Sequence, residues 1–418
     1  MNFYASIFPT ILLMLINWAY GGGIVETHEQ DYCFATDPIR EQLRRFFSKT
    51  AYQFVKGNED ISSECLPERF WLLSRHGTRL TPSKDTKRLS EELPRIQRDI
   101  LEHYSTGGPE NGLCREDVAL LASWKWDSNV TEDKSEFLSS QGWEDLRGIA
   151  RYFQKQFPGL LKKNYSKEEF FFRHTDKQRT RASFQAFAEG LFGSYENVQA
   201  APIPERDTLL QPYDYSEDWL KQKAEIYQEG SEYMKFRNTS YFLNACENVS
   251  RKAGYNSTLN PETVEMIFKA CIYEQAWKIT DPSPWCSLFS PDDVKVLEYL
   301  HDLEEFYLAG STSELNDRMA KELLENFLEY FVSRKEPRVA AFFAHSTTLE
   351  LFLTIMRIGQ DDVALTAENF MEMEDRKFRT SQIAPFAGNL GVVSVSCGKS
   401  KRNRLLFILN ERQLDLNW

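Results

Sequence analysis

Three short apolar segments of the chain each run into a histidine, and this repeated pattern restricts the fold more than any other feature. The segments and the histidines that follow them are 69–74 with His76, 170–173 with His174, and 339–344 with His345. Short apolar runs that break at a turn or at a helix start are typical of buried strands. The pattern therefore predicts that three strand ends deliver histidines, two of them preceded by arginine, to one region of an α/β fold.

Alternating strand and helix patterns at both ends of the chain enclose a middle that is polar and mostly helical in period. Two further strands are predicted at residues 390–396 and 405–409. We therefore expect an α/β domain formed by residues 22–205 and 310–418, with an α-helical insertion or cap at residues 206–309.

Helices are predicted to begin directly after the second and third of these strands. Residues 175–178 and 347–350 each match a capping box, in which Thr caps the helix and a Gln or Glu three residues later completes the motif. In open α/β sheets, ligands bind beyond the carboxyl ends of strands, where helix N-termini offer unpaired N–H groups and the positive end of a dipole. The sequence thus predicts an anion site at this edge of the sheet.

The first residues indicate export from the cytosol. Residues 1–21 hold an apolar run that is too short to span a bilayer and is followed by small residues, as in a cleaved secretory signal peptide; a short buried helix is the other interpretation. We expect no integral membrane span and no KDEL-type retention signal, and hence a secreted or lumenal protein. N-glycans are expected at five sequons, whose asparagines are Asn129, Asn164, Asn238, Asn248 and Asn256.

The seven cysteines agree with an oxidising compartment. They are widely spaced, with no C-x-x-C and no Cys/His cluster at zinc-ligand spacing, so disulfides are predicted, with one thiol left over and no metal site. Spacing does not determine the pairing. Cys271 with Cys286 would close a short loop, and Cys65 with Cys397 would tie two predicted strands together.

The net charge restricts where an anion binds. The chain has 50 Lys and Arg against 62 Asp and Glu, which gives a formal net charge of −12. A broadly basic nucleic-acid-binding protein is therefore excluded. Because the overall field opposes an anionic ligand, the positive charge that binds one must be local.

Residues 74–79, Ser-Arg-His-Gly-Thr-Arg, contain the groups that such a site needs. Arginine holds phosphate oxygens through planar, bidentate contacts. His76 can attack phosphorus through one ring nitrogen while a backbone carbonyl holds the other, giving a phosphohistidine that water hydrolyses. An exposed Arg-His turn without catalytic function is the alternative. Sequence patterns of cysteine phosphatases, P-loop enzymes and serine ester hydrolases are not found.

At these residues the chain resembles the histidine acid phosphatase family of the phosphoglycerate-mutase-like superfamily, and within it the multiple inositol polyphosphate phosphatases. The resemblance spans nearly the whole chain after the signal peptide, in motifs at 70–79, 172–175, 186–187, 190–191, 283–286, 344–345, 376–379 and 385–390. It implies a three-layer αβα mixed-sheet fold and release of phosphate from inositol polyphosphates, such as inositol hexakisphosphate, without a metal or organic cofactor.

The same resemblance implies a role for each residue of the site. His76 would be the nucleophile, and His345 would donate a hydrogen bond to the scissile phosphate. Three arginines would bind that phosphate, namely Arg75, Arg79 and Arg173.

One departure from the family pattern concerns the acid that protonates the leaving alkoxide. The subfamily places this acid after the second histidine, as His-Ala-Glu, but the chain has Thr347 there. Threonine is not an ordinary general acid, and loss of such a group typically costs about 10²–10⁴ in rate. Glu350 either ends the capping box or replaces the acid, and His174 or water held by Thr347 is another source of a proton. The sequence does not decide among these.

Lysines beyond the motifs have two interpretations. Lys84 and Lys177 follow the first and second motif, and they either bind further phosphates of the substrate or lie on solvated helix faces.

The sequence leaves two functions of different class open. One is an inositol polyphosphate phosphatase, slowed by Thr347; the other is an impaired paralogue that binds phosphorylated inositols with little turnover. A transfer enzyme of the mutase branch fits the predicted signal peptide, sequons and late motifs less well.

Overall fold

The computed structural model describes residues 32–61, 65–110, 112–333, 335, 337–398 and 402–416. The predicted signal peptide, residues 1–21, lies outside the described residues. The strands are β1 Leu66–Arg75, β2 Phe170–His174, β3 Val339–Ala344, β4 Asn389–Cys397, β5 Arg402–Leu409 and β6 Arg412–Leu414.

The strands form one mixed sheet in the order β2-β3-β1-β4-β5-β6. Strands β2, β3 and β1 run parallel to one another, while β4, β5 and β6 each run antiparallel to the strand before them in that order. Because parallel strands end at the same edge of a sheet, the three predicted Arg-His and His segments meet there, beside the start of β4.

Five of these strands match the predicted ones, and β6 does not appear among the predictions. β6 has only three residues and follows a tight turn in which Asn410 and Glu411 have φ of 49° and 63°. Such a left-handed turn closes a hairpin between β5 and β6. A strand this short has no alternation that sequence analysis can detect.

The α-helices surround the sheet and differ widely in length. They are α1 Tyr52–Val55, α2 Ser83–Ser105, α3 Arg115–Ser123, α4 Ser140–Gln156, α5 Gln178–Phe192, α6 Glu217–Glu225, α7 Glu232–Arg237, α8 Ser240–Lys252, α9 Pro261–Trp277, α10 Pro291–Ala309, α11 Glu314–Ser333, α12 Ser346–Ile355 and α13 Thr380–Ile383. Short 3₁₀ helices occur at Glu41–Arg44, Phe47–Lys49, Glu132–Lys134, Pro212–Tyr215 and Pro284–Leu288.

Two hydrophobic cores lie on the two faces of the sheet, and alternate residues of β1 separate them. Trp71 and Leu73 pack into the core that contains α9, α10 and α12, whereas Phe70 and Leu72 pack into the core that contains α4 and α5. Helices therefore cover both faces, which confirms the α/β class and the three layers. Helices α6 to α10 lie between β2 and β3 in the chain, where the insertion is predicted, and share the first core with the sheet. The division into two domains stays a prediction.

Both predicted capping boxes are wrong, since the helices begin elsewhere. α5 begins at Gln178 with Lys177 as its N-cap residue, and α12 begins at Ser346 with His345 as its N-cap residue. The Thr175 hydroxyl contacts the Thr180 hydroxyl at 2.9 Å and His345 Nε2 at 3.0 Å. It is therefore used in tertiary contacts rather than in a cap.

Three disulfides connect distant parts of the chain. Both pairs that the sequence analysis considered form, Cys65–Cys397 and Cys271–Cys286, and the third is Cys33–Cys114. Cys246 is a buried free thiol. Disulfides in this number are typical of secreted and lumenal proteins. None of the helices in the described part of the chain combines the length and the apolarity that crossing a bilayer requires.

Candidate active site

The carboxyl ends of β1 and β3 meet the start of β4 in a hydrogen-bonded frame around His76. The backbone N–H of His76 donates to Ala344 O at 3.0 Å, and the N–H of Ala387 donates to His76 O at 3.0 Å. The N–H of Arg75 donates to Gly388 O at 2.8 Å. The late motif at 385–390 is thus part of the site, because it holds the backbone of Arg75 and His76 in place.

His76 lies at the bottom of this site with only 3% of its surface exposed. Its ring Nδ1 is 2.8 Å from Gly77 O, so Nδ1–H donates to that carbonyl and Nε2 keeps its lone pair. Burial lowers the pKa of His76 well below 6.5, and the charges of Arg75 and Arg179 lower it further. The imidazole is therefore neutral at neutral pH and able to act as a nucleophile through Nε2.

His345 is the second histidine of the site. Its ring centroid is 5.6 Å from that of His76, and its Nε2 is 3.0 Å from Thr175 Oγ1. Burial lowers the pKa of His345 well below 6.5, with Arg179 the strongest of the charges that add to the effect. The structure therefore brings His76 and His345 together, as predicted.

Arg75 is almost completely buried below the site, with 2% of its surface exposed. Its Nη1 donates to Ser48 O and, at 2.7 Å, to Ala384 O, and its guanidinium stacks on the Phe386 ring at 4.6 Å. Burial lowers its pKa to about 10, so the group keeps its charge at neutral pH. Arg75 thus supplies a fixed positive charge beneath His76.

Arg79 and Arg179 lie at the rim. Arg79 Nη1 donates to Leu80 O at 2.8 Å, and its Nη2 is 3.5 Å from Glu136 Oε1. Arg179, the second residue of α5, has Nη1 3.6 Å from the other oxygen of the same carboxylate. Both charges lower the pKa of His76 and of His345. The arginines that surround the histidine pair are therefore Arg75, Arg79 and Arg179.

Arg173 is a correction to the predicted site. It pairs with Phe342 in the register of β3, as Leu73 does, while Arg75 pairs with Ala344. Arg173 therefore lies two residues further back along the sheet than Arg75. Its Nη2 is 2.5 Å from Asp207 Oδ1, and it lines a separate cavity of about 490 Å³ against α11.

Arg179 is a residue of the site that was not among the predicted ones. Its position in the sequence could have indicated a place in the site, because Arg179 lies in the first turn of a helix whose N-terminus was expected to face the anion. The strand alternation gives no such signal, because Arg173 pairs with Phe342 as Leu73 does and so lies on the same face of the sheet as Arg75.

His174 is not part of the histidine pair. Its Nδ1–H donates to Thr175 O at 2.9 Å, and its ring stacks on Phe184 with centroids 5.8 Å apart. Its pKa is lowered chiefly by burial. As a source of a proton for the leaving group, His174 is therefore poorly placed.

Thr347 and Glu350 occupy different depths of α12. Thr347 is the second residue of the helix and half-buried, near His345. Glu350 is 0% exposed. Burial raises its pKa well above 4.5 and neighbouring Glu305 adds to this, while Arg75 and Lys49 oppose it. Glu350 thus lies beneath the site beside Arg75, rather than at a helix cap.

The two predicted lysines differ in their position. Lys177 is exposed at the N-cap of α5, and its charge contributes to the lowered pKa of His345. Lys84 is exposed in the first turn of α2. Lys49, which the sequence analysis did not identify, has its pKa lowered to about 7 by burial and by the neighbouring charge of Arg75. Lys177 is therefore close to the histidine pair and Lys49 is close to Arg75.

The donor set of the site suits an anion. Its members are imidazoles, guanidiniums and helix N-termini, and the Glu136 carboxylate lies between the two rim arginines. In the described part of the chain, the three-residue group at metal-ligand distances is Cys33, Cys114 and Glu116, and its two cysteines are joined in a disulfide. Those sulfurs are not available as thiolate ligands.

The chain is similar to known proteins in sequence and in fold. The family model of the histidine phosphatase superfamily (branch 2) matches residues 68–409. Multiple inositol polyphosphate phosphatase 1 of Drosophila melanogaster is 38% identical over 404 residues, covering 94% of this chain and 86% of that protein. The Homo sapiens protein of the same name is 27% identical over 418 residues, covering 91% and 84%.

Two solved structures share the fold. The phytase from D. castellii superposes with a TM-score of 0.68 at 20% identity, covering 89% of this chain and 80% of that one. The Bifidobacterium longum multiple inositol polyphosphate phosphatase in complex with inositol hexasulfate has a TM-score of 0.64 at 14% identity, covering 89% and 92%. At these identities, the likeness concerns the fold alone.

Proposed function

Because this chain belongs to the histidine phosphatase superfamily (branch 2), we propose that it is a phosphomonoesterase that removes phosphate from inositol polyphosphates through a phosphohistidine at His76. One observation carries the proposal. A buried, neutral imidazole keeps its Nε2 lone pair free while Arg75, Arg79 and Arg179 surround it with positive charge. This is the combination that nucleophilic attack on an anionic phosphate ester requires.

In the first step, His76 Nε2 attacks phosphorus, the P–N bond forms and the P–O bond to the inositol oxygen breaks. The negative charge of the transferring phosphoryl group is stabilised by the guanidiniums, which are fixed before the substrate arrives. The leaving alkoxide takes up one proton. In the second step, water attacks the phosphohistidine, the P–N bond breaks, and inorganic phosphate leaves with His76 restored.

The substrate class is supported by the relatives and by the charges around the site. Both relatives carry the name multiple inositol polyphosphate phosphatase. A substrate with several phosphates requires cations outside the scissile position. The charge of Lys177 contributes to the lowered pKa of His345, and Lys49 lies close to Arg75 and Glu350. We assign Lys177 to a second phosphate of the substrate, and we keep Lys84 in the same role as a prediction.

A second candidate function rests on Thr347. Without an acid at this position, the protein would bind phosphorylated inositols through the arginines and turn them over slowly. Retention of His76 argues against it, because a binding protein has no need of a nucleophile. The two functions differ in the amount of phosphate released, not in the ligand.

The test is phosphate release from inositol hexakisphosphate, together with trapping of an acid-labile phosphoenzyme after rapid mixing. Wild-type protein is expected to show both, and His76→Ala neither. His103→Ala is the matched control, since His103 Nδ1 also contacts a backbone carbonyl, Ala253 O, at 3.2 Å, and lies outside the site. Tight binding without release or phosphoenzyme would favour the binding protein.

We further propose that the protein is secreted or lumenal and carries N-glycans. Four sequon asparagines are exposed, namely Asn129, Asn164, Asn238 and Asn256. Asn248 is half-buried within α8, and its Nδ2 donates to Asp293 Oδ1 at 3.0 Å. Peptide mapping after glycosidase treatment is expected to find glycans at exposed sites and not at Asn248.

A further inference from the structure

Glu136 lies between two arginines of the site. Its carboxylate oxygens are 3.5 Å from Arg79 Nη2 and 3.6 Å from Arg179 Nη1. The side chain of Glu136 is 38% exposed, whereas those of Arg79 and Arg179 are 11% and 15% exposed. The carboxylate therefore lies on the solvent side of the two guanidiniums, at the mouth of the site.

The backbone holds Glu136 in this place. The N–H of Glu136 donates to Thr81 O at 3.2 Å, and the N–H of Leu80 donates to Phe137 O at 2.9 Å. Residues Arg79 and Leu138 form an antiparallel bridge. Glu136 itself has a φ of 58°, a left-handed conformation that costs free energy in a residue other than glycine. The loop is thus paired with the arginine segment, and its strained residue is the one that reaches the guanidiniums.

The position of the leaving group follows from the depth of His76. With 3% exposure, His76 lies at the bottom of the site, so its Nε2 attacks phosphorus from below. The leaving oxygen lies opposite the nucleophile in an in-line displacement. It is also attached to the inositol ring, which is on the solvent side. The oxygen that needs a proton is therefore on the same side of the phosphate as Glu136.

Other proton donors are worse placed. Glu350 is 0% exposed beside Arg75, beneath the histidine pair. His174 stacks on Phe184, and Thr347 has no acidic proton. Glu136 is the carboxyl group that contacts the rim arginines.

We propose that Glu136 protonates the leaving alcohol, in place of the acid that position 347 lacks. A phosphate dianion that binds Arg79 and Arg179 repels a carboxylate on the same pair, and uptake of a proton by Glu136 relieves that repulsion. The proton passes from the carboxyl to the inositol oxygen as the P–O bond breaks and the P–N bond forms. The resulting carboxylate takes a proton from water as water attacks the phosphohistidine. This inference rests on the proposed function.

The test compares two leaving groups in wild-type protein and Glu136→Gln. p-Nitrophenol leaves readily as an anion, whereas an inositol hydroxyl requires a proton. Glu136→Gln is expected to lower kcat for inositol hexakisphosphate by about 10²- to 10⁴-fold and kcat for p-nitrophenyl phosphate by no more than about threefold. The matched control is Glu132→Gln, which removes a negative charge from the same loop. The Glu132 carboxylate accepts a hydrogen bond from Ser83 Oγ at 3.0 Å. It is expected to leave both rates unchanged.

Three results would overturn the inference. Equal loss for both substrates would mean that Glu136 only positions the arginines. A rise in kcat/KM for both would mean that Glu136 only competes with phosphate for them. Unchanged rates would mean that it has no role. If wild-type protein fails to release phosphate from either substrate, the proposed function fails first and the inference with it. If wild-type protein releases phosphate from both substrates and Glu136→Gln retains both rates, the inference fails while the proposed function stands.

Discussion

The carboxyl ends of β1 and β2 carry the same pair of residues, Arg75-His76 and Arg173-His174. In both pairs the histidine Nδ1 contacts the carbonyl of the next residue, at 2.8 Å to Gly77 and 2.9 Å to Thr175. Both are also followed by two threonine hydroxyls in contact, Thr81 with Thr86 and Thr175 with Thr180. The Arg-His pair and its local hydrogen bonds therefore do not by themselves distinguish the two ends.

The surroundings of the β1 end and the β2 end distinguish them. β1 is an inner strand between β3 and β4, while β2 is at the edge of the sheet. The inner position surrounds His76 with His345 and three arginines, whereas His174 faces Phe184 and Arg173 faces Asp207. The two histidines therefore differ through the neighbours that the sheet order supplies.

The largest effect is expected from removing the histidine of each pair. His76→Ala should lower phosphate release by about 10³-fold or more, because the nucleophile is lost. His174→Ala should stay within about tenfold of wild type, since it removes a ring that packs on Phe184. Initial rates with inositol hexakisphosphate decide this. Equal losses from the two substitutions would contradict the distinction between the strand ends.

The arginines should show the next largest difference. Arg179→Ala removes a guanidinium beside His76 and is expected to lower kcat by about 10²- to 10³-fold. Arg173→Ala should leave kcat nearly unchanged and instead lower the free energy of unfolding by about 2 kcal/mol, because Asp207 loses its partner. Steady-state kinetics and urea unfolding measure the two effects. If Arg173→Ala lowers kcat and Arg179→Ala does not, Arg173 binds the scissile phosphate, as the resemblance implies.

Thr347→Glu should add an acid beside the histidine pair. We expect kcat for inositol hexakisphosphate to rise about three- to tenfold, which is less than a general acid contributes when no other is present, because Glu136 already supplies protons. A p-nitrophenyl phosphate assay serves as the control, since its rate should not rise. An unchanged rate on both substrates would show that proton transfer does not limit turnover.

A last prediction concerns stability rather than turnover, and it rests on a buried carboxyl behind the β1 end. Asp145 accepts hydrogen bonds from Gln53 at 2.7 Å and Gln141 at 2.8 Å, and its pKa is raised to about 6, chiefly by burial. The folded state therefore holds this proton more tightly than the unfolded state, so stability is greatest below about pH 4 and falls as the pH rises to about 6. The change is about 3 kcal/mol at 1.36 kcal/mol per pKa unit.

Asp145→Asn removes that titration and keeps an acceptor for both glutamines. Its unfolding free energy should be flatter than that of wild type between about pH 4 and pH 6, and it should exceed the wild-type value at pH 7. Urea unfolding at several pH values measures both curves. Parallel curves would show that Asp145 does not titrate in this range.

Sequence analysis predicted the parts of the fold that depend on local pattern. Five strands and the α/β class follow from short apolar runs, and the meeting of His76 with His345 follows from the runs that end in histidine. Both capping boxes were wrong: the Thr175 hydroxyl contacts Thr180 and His345 instead of capping α5, and α12 begins at Ser346, one residue before Thr347. Sequence analysis also did not predict β6, whose pairing depends on a tight turn.

For the site, the outcome differs residue by residue. Arg75 directly precedes His76 in the chain and Arg79 follows it by three residues, so the motif itself predicted that both lie near His76. Arg173 lies away from the histidine pair, because the relative register of β2 and β3, which neither strand encodes alone, places it two residues further back than Arg75. Glu136 comes from a loop more than fifty residues after Arg79, and it reaches the site only through pairing of that loop with residues 79–81.

By itself, the sequence determined which segments form strands, which residues bring nucleophile and charge, and that position 347 holds no acid. These depend on side-chain chemistry and on the period of a single segment. Tertiary structure alone decided that Arg179 lies beside the histidine pair while Arg173 pairs with Asp207, and that a distant carboxyl contacts the rim arginines. Such choices depend on sheet order, register and burial, which arise from interactions between segments far apart in the chain.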